Sequence, residues 1–167
     1  MSNKYYYLGA SLPYVSFGDD PPFSREGFIA ECEKWLSPAD MQALLSADLH
    51  CREEKCEGIP LLRRWKSFDA ALKAELARIR AAAKKGEGYK TSDILKNIMG
   101  KETPLLMERA LEKLRWIFIE ECSKQYFYDI NALASYFLKV QILERLATFN
   151  KDEGEKFFYS LCEVKYE

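Results

Sequence analysis

The chain has 167 residues, 48% of them hydrophobic, and its 25 Lys and Arg nearly balance 26 Asp and Glu for a formal net charge of −1. That length fits one domain, or a domain with an appended subdomain, and the apolar share is enough for a proper core. The even charge argues against nucleic acid as the main partner, because phosphate binding leaves a basic footprint.

Ten Tyr, ten Phe and three Trp assign much of the packing to large side chains. No apolar run approaches the ~20 residues that a bilayer-spanning helix needs. The longest candidate, Trp116-Ile117-Phe118-Ile119, is fenced by Arg115 and Glu120. The N-terminus lacks the apolar core of a signal peptide. Five Cys, an odd number scattered along the chain, fit reduced thiols and a cytoplasmic location.

Residues 1–23 read as an apolar, aromatic N-terminal arm followed by a Pro-rich turn. Tyr5-Tyr6-Tyr7-Leu8 is too apolar for a free tail and too short to stand alone. It fits a strand, a short helix or an extended arm laid over the rest of the chain. Tyr7 and Leu8 are expected inside, with at least one of Tyr5 and Tyr6 left exposed for contact. Gly18-Asp19-Asp20-Pro21-Pro22 is a turn.

Ser24 suits the cap of a helix running to Leu36, with Phe28, Cys32 and Trp35 on one face. Ser37-Pro38-Ala39-Asp40 combines a cap, a proline at the first helical position and a carboxylate in the first turn. The helix it opens carries Met41, Leu44, Leu45 and Leu49. Residues 50–58 are polar and read as a loop or a frayed helix end.

Pro60 opens a long helix ending near Lys85, with Trp65, Phe68, Leu72, Leu76 and Ile79 in a stripe and Gly86 as its stop. Residues 92–99 form a short helix closed by Gly100. Thr103 and Pro104 then start a helix over 104–124. Its stripe is Met107, Leu111, Leu114, Phe118 and Cys122, with Leu106, Ala110 and Ile117 beside it.

Asp129 caps a helix over 129–149 carrying Ile130, Leu133, Phe137 and Val140. Asp152 is placed to cap a C-terminal helix with Phe157, Phe158, Leu161 and Cys162 inward. The expected fold is all-α, a bundle of six or seven helices. Residues 24–100 supply the N-terminal helices of a single helical domain, and 101–167 its C-terminal part. The segments 60–85, 104–124 and 129–149 form the central bundle.

No constellation points to catalysis. His50, Cys51 and Cys56 lack a fourth ligand, and their Cys spacing exceeds that of zinc knuckles. A Cys–His nucleophile also needs an orienting third group. Gly86-Glu87-Gly88 lacks the ending of a phosphate loop, and the pairs Arg63-Arg64 and Lys84-Lys85 read as an ordinary charged face. Accordingly no catalytic, cofactor-binding or metal residue is assigned, and no enzyme activity is expected.

Asn131 and Gln141 sit on an otherwise apolar helix. Facing water is the reading the pattern favours, and fixing register with a partner helix is the other. On the second reading they join Tyr5 and Tyr6 as a candidate partner interface.

The stretch Tyr5-Tyr6-Tyr7-Leu8-Gly9-Ala10-Ser11-Leu12-Pro13 resembles the opening of a bacterial family of uncharacterised proteins. The likeness continues through Phe17, Pro21-Pro22-Phe23-Ser24, Gly27-Phe28, Cys32 and Leu36-Ser37-Pro38-Ala39-Asp40. It returns at Asp129-Ile130-Asn131-Ala132-Leu133 and Leu138-Lys139-Val140-Gln141-Ile142. Members of that family are typically encoded among the subunits of V/A-type ATPases.

The second block is also similar to the helical C/d subunit, which joins the rotor stalk to the membrane ring. C/d subunits are longer and open on Tyr-Leu-Asn-Ala-Arg, where this chain has Tyr7-Leu8-Gly9-Ala10-Ser11. The resemblance implies a non-enzymatic structural or accessory subunit, with V/A-type ATPase subunits of the stalk or ring as partners. It implies no span of its own and a cytoplasmic place, peripheral to the inner membrane through the ATPase. A stand-alone helical adaptor is the alternative.

Overall fold

The computed structural model describes residues 4–49, 58–149 and 151–162, the side chains of 151–153 excepted. Capping chemistry sets most of the helix starts. Ser24, Ser37, Ser92, Thr103 and Asp129 each accept a hydrogen bond from the backbone N–H three residues on, which satisfies a donor that the first turn leaves unpaired. They open α2 (Arg25–Glu33), α3 (Pro38–Leu45), α5 (Asp93–Met99), α6 (Pro104–Ser123) and α7 (Ile130–Ala147). The long α4 (Pro60–Lys85) ends at Gly86, whose left-handed φ of 71° closes the last turn without a Cβ clash.

Two further helices, α1 (Tyr6–Ser11) and α8 (Lys151–Cys162), bring the count to eight among the described residues, and no strand occurs there. Six or seven helices were expected, and the surplus is α1. Three ends come earlier than the periodicity suggested. α2 stops at Glu33, α3 at Leu45 and α7 at Ala147, and Leu49, beyond α3, is buried nonetheless. α8 begins at Lys151, so Asp152 lies inside it and is not its cap.

α4, α6 and α7 pack on one another as the central bundle, α2 and α3 cover α7, and α5 covers α6. α7 is the hub. Leu133, Ala134, Phe137, Leu138, Val140, Ile142 and Leu143 are all buried. The Phe137 ring stacks on Phe28 of α2 at 5.1 Å between centroids. Between α4 and α6, Phe68 stacks on Phe118 at 3.9 Å. A second apolar cluster joins the far half of α4 to α5 and α6 through Leu72, Leu76, Leu95, Ile98 and Leu111.

α6 is turned relative to its expected stripe. Trp116 and Ile119 are fully buried, whereas Leu106 and Ile117 are each 45% exposed. Its apolar arc is wider than the area α4 and α7 cover, so the packing partners choose which edge goes inside. The expectation for α8 is overturned more completely. Phe157, Phe158 and Leu161 are exposed, as is Cys162. Both apolar clusters are filled without α8, and neither contains a residue of it.

A charged seam crosses the central bundle. Arg115 donates through Nε to Asp69 Oδ1 at 3.0 Å and through Nη1 to Glu112 Oε1 at 2.9 Å. Arg145 of α7 pairs with Glu108 and approaches Glu112 at 3.2 Å. Burial pushes the Glu112 carboxyl above its usual range, against the pull of Arg115 and Arg145. Its other oxygen accepts no hydrogen bond among the described residues. Breaking such a seam is costly, but its presence is weak evidence of added stability.

A candidate interaction surface

α1 places its side chains by helical geometry, in which residues three apart share a face. Tyr5 and Leu8 therefore both point inward and are buried, while Tyr6 and Tyr7 point out, 50% and 76% exposed. The expectation for Leu8 holds, and so does that of an exposed tyrosine at position 5 or 6. The expectation that Tyr7 is buried fails, because helical spacing pairs Leu8 with Tyr5.

Tyr5 is anchored at both ends. Its hydroxyl donates to Asp40 Oδ2, and its backbone N–H donates to the Tyr128 carbonyl at 3.0 Å. Asp40 also accepts from Lys4 Nζ at 2.5 Å and Ser37 Oγ at 2.8 Å. Those donors, led by Lys4 and then Tyr5, hold its carboxyl down at about 2. The residue read as a helix-start carboxylate thus also ties the N-terminal segment to α3.

Tyr128, in the turn between α6 and α7, has a left-handed φ of 53°, an uncommon conformation for a residue with a side chain. Its ring lies over α1, with its centroid 4.7 Å from that of Tyr6. Gly9 makes room for it. A Cβ there would meet the Tyr128 ring at 2.8 Å. Tyr6 and Tyr7 meet edge to face at 5.7 Å, and Phe127, next in the chain to Tyr128, is exposed. The result is an aromatic ledge with hydroxyl tips, held from beneath by Tyr5 and Leu8. Such side chains bind well at low entropic cost.

Asn131 and Gln141 do not face water. Both are buried and spend their amides inside the chain. Asn131 Oδ1 accepts from the Leu61 backbone N–H at 3.1 Å. That N–H belongs to the first turn of α4, whose own N-cap residue, Ile59, supplies no side-chain bond. Gln141 Oε1 accepts from Leu49 N–H at 3.2 Å, and its Nε2 donates to the Ala47 carbonyl at 2.7 Å. They fix register, but between α7 and other segments of the same chain. Of the four residues predicted as an interface, Tyr6 alone lies open at the surface. Tyr7, Phe127 and Tyr128, the other rings of the ledge, were not singled out, and the run Tyr126-Phe127-Tyr128 in a turn was the available signal.

Burial and then Glu31 push the Cys32 thiol up to about 12, which leaves it inert at neutral pH. No three His, Cys, Asp or Glu side chains gather as a metal site among the described residues. His50, Cys51 and Cys56 lie outside those residues. No described helix is long and apolar enough to cross a membrane.

No curated protein and no solved structure matches the chain. The resembling block at residues 129–142 falls within the one segment that does match a family, whereas the block at residues 5–40 falls outside it. Residues 86–165, from the end of α4 through α8, match the profile of a family described as a protein of unknown function (DUF2764).

Proposed function

We propose that this chain is a non-enzymatic structural or accessory subunit that binds another protein through the ledge of Tyr6, Tyr7 and Tyr128. The observation that carries this reading is the fixed exposure of Tyr6 and Tyr7 on that ledge, with the half-buried Tyr128 ring packed beside them. Tyr6 and Tyr7 are held outward by the buried Tyr5 and Leu8 beneath them. Exposed aromatics presented on a rigid base are typical anchors of protein interfaces. The proposed host is a bacterial V/A-type ATPase, with a C/d-like place at the junction of stalk and ring. Support for the host comes from the sequence resemblance at residues 5–40 and 129–142. The long packed helices α4, α6 and α7 suit a part that transmits force and needs no reactive group. On this reading the protein is cytoplasmic and peripheral to the inner membrane through the ATPase.

Co-purification with a tagged full-length chain tests the reading. Wild-type protein is expected to recover stalk or ring subunits. Tyr6→Ala with Tyr7→Ala should lower the affinity by about 30-fold, the effect of losing one hot spot of ~2 kcal/mol. Repeated recovery of other proteins without any ATPase subunit would return a stand-alone adaptor in its place. Undiminished recovery by the double variant would move the contact off this ledge.

A further inference from the structure

A cleft of about 440 Å³ opens beside the root of α8, and Phe17, Leu146 and Phe149 are the large apolar side chains in its lining. Arg109 of α6 and Asp19 and Asp20 of the turn after Gly18 also line it. Asp19 accepts the Ser16 backbone N–H at 3.1 Å. Neither Arg109 nor Asp20 has an ion-pair partner among the described residues.

α8 offers the complementary pattern. At about 100° per residue, Phe157, Leu161 and Phe158 form one continuous apolar arc. Lys156 falls on one edge of that arc and Glu155 on the other. All five are exposed, and neither charge is paired among the described residues. The helix is therefore an apolar ridge with a cation along one edge and an anion along the other. The cleft combines an apolar strip from Phe17, Leu146 and Phe149 with side chains of both charge signs, Asp19 and Asp20 against Arg109. In one chain the ridge and the cleft remain apart, since Phe157, Phe158 and Leu161 are 66%, 62% and 68% exposed.

We propose that two copies of this chain exchange α8, each helix seating its Phe157–Leu161 face in the cleft of the other. Lys156 then meets Asp19 and Asp20, and Glu155 meets Arg109. The exchange is reciprocal, so the contact closes on itself as a two-fold dimer and does not grow into a fibre. Only residues 148–150 separate α7 from α8, and short connections of this kind favour exchange of a terminal element. Seating the three apolar side chains of both helices buries on the order of 1,000 Å² over the two partners, at the lower end of the range for specific interfaces. This surface is separate from the tyrosine ledge.

Sedimentation velocity on the full-length chain across the micromolar range reads the outcome. The wild type is expected to be a dimer. Phe157→Ser with Leu161→Ser should be a monomer with an unchanged circular dichroism spectrum, and its melting temperature should match that of the wild type at a concentration low enough to keep the wild type monomeric, because neither side chain is in the core. Asp19→Lys with Asp20→Lys should weaken the dimer at least tenfold, and adding Lys156→Glu in the same chain should restore it.

Carbodiimide coupling in a mixture of isotopically light and heavy chains should join Lys156 of one label to Asp19 or Asp20 of the other. A wild type that stays monomeric overturns the proposal. So does a dimer indifferent to the substitutions. So does a Lys156 cross-link confined to one label, which would mean that α8 closes on its own cleft.

Discussion

α7 and α8 carry the same kind of pattern and meet opposite fates. Both space their apolar residues three and four apart. In α7 nearly every such residue is buried, with Phe137, Leu138 and Ile142 wholly enclosed. In α8, Phe157, Phe158 and Leu161 keep about two-thirds of their surface in water, as their exposures of 66%, 62% and 68% record. The difference comes from the neighbours. α7 is surrounded by α2, α3, α4 and α6, and those contacts complete a core to which α8 adds nothing. Periodicity thus identifies a helix and its apolar face, but it is silent on whether the cover for that face lies in the same chain.

The sharpest test of the contrast is truncation at the hub. Phe137→Ala removes a fully buried ring stacked on Phe28, and the cavity left between α7 and α2 cannot collapse without shifting both helices. The expected loss is ~3–5 kcal/mol of unfolding free energy, measured by denaturant titration with an unchanged m-value. A loss below about 1 kcal/mol would remove α7 from its place as the hub.

A smaller effect is expected from the polar contacts that seat the loops on α7. Gln141→Ala strands the Leu49 N–H and the Ala47 carbonyl, both of which the amide now satisfies. The cost should be ~1–3 kcal/mol. Hydrogen exchange should then quicken at Leu49 before it quickens in α7. A uniform change would show that the loop and the helix open together.

Gln141 also marks the limit of what the sequence disclosed. Ser37-Pro38, Thr103-Pro104 and Asp129 announce helix starts because capping is local chemistry, complete within four residues. The extent of α4, Pro60–Lys85, was legible for the same reason, through a proline at one end and a glycine at the other. Gln141 acts on residues more than ninety positions away, as its separation of 92 from Leu49 records. Nothing in its neighbourhood names those partners.

The rotation of α6, the left-handed turn at Tyr128 and the exposure of α8 were hidden likewise, being decided by packing across the whole chain. The tyrosine ledge was half legible. The apolar character of residues 5–8 was plain, but which tyrosines face out followed from α1 being a helix.

The N-terminal anchor should respond to pH in a defined direction. Asp40 is held at about 2 by its donors, below the ordinary carboxylate value. A lowered folded-state pKa contributes stability above the unfolded value of about 4, and that contribution is lost as pH falls toward 2. Asp40→Asn should therefore cost about 1 kcal/mol at neutral pH, a modest figure because water screens the half-exposed Lys4. The gap from wild type should close between about pH 4 and pH 2. A gap that stayed constant through that range would assign the effect to the Ser37 and Tyr5 hydrogen bonds alone, without the charge.

The smallest effect belongs to the other half of the comparison. Phe158→Ala removes the same group of atoms as Phe137→Ala, but from a ring that is 62% exposed on a helix outside both apolar clusters. Little apolar surface returns to water, no cavity forms, and alanine favours the helix. The unfolding free energy of the isolated chain, measured at a concentration low enough to keep it monomeric, should change by less than ~0.5 kcal/mol. The measurement becomes informative when repeated at high concentration. If α8 is covered only by a second copy, the cost of the substitution should grow with protein concentration, because association adds to the stability of the wild type and not to that of the variant. A concentration-independent loss of several kcal/mol would place Phe158 against its own chain and erase the distinction between α7 and α8.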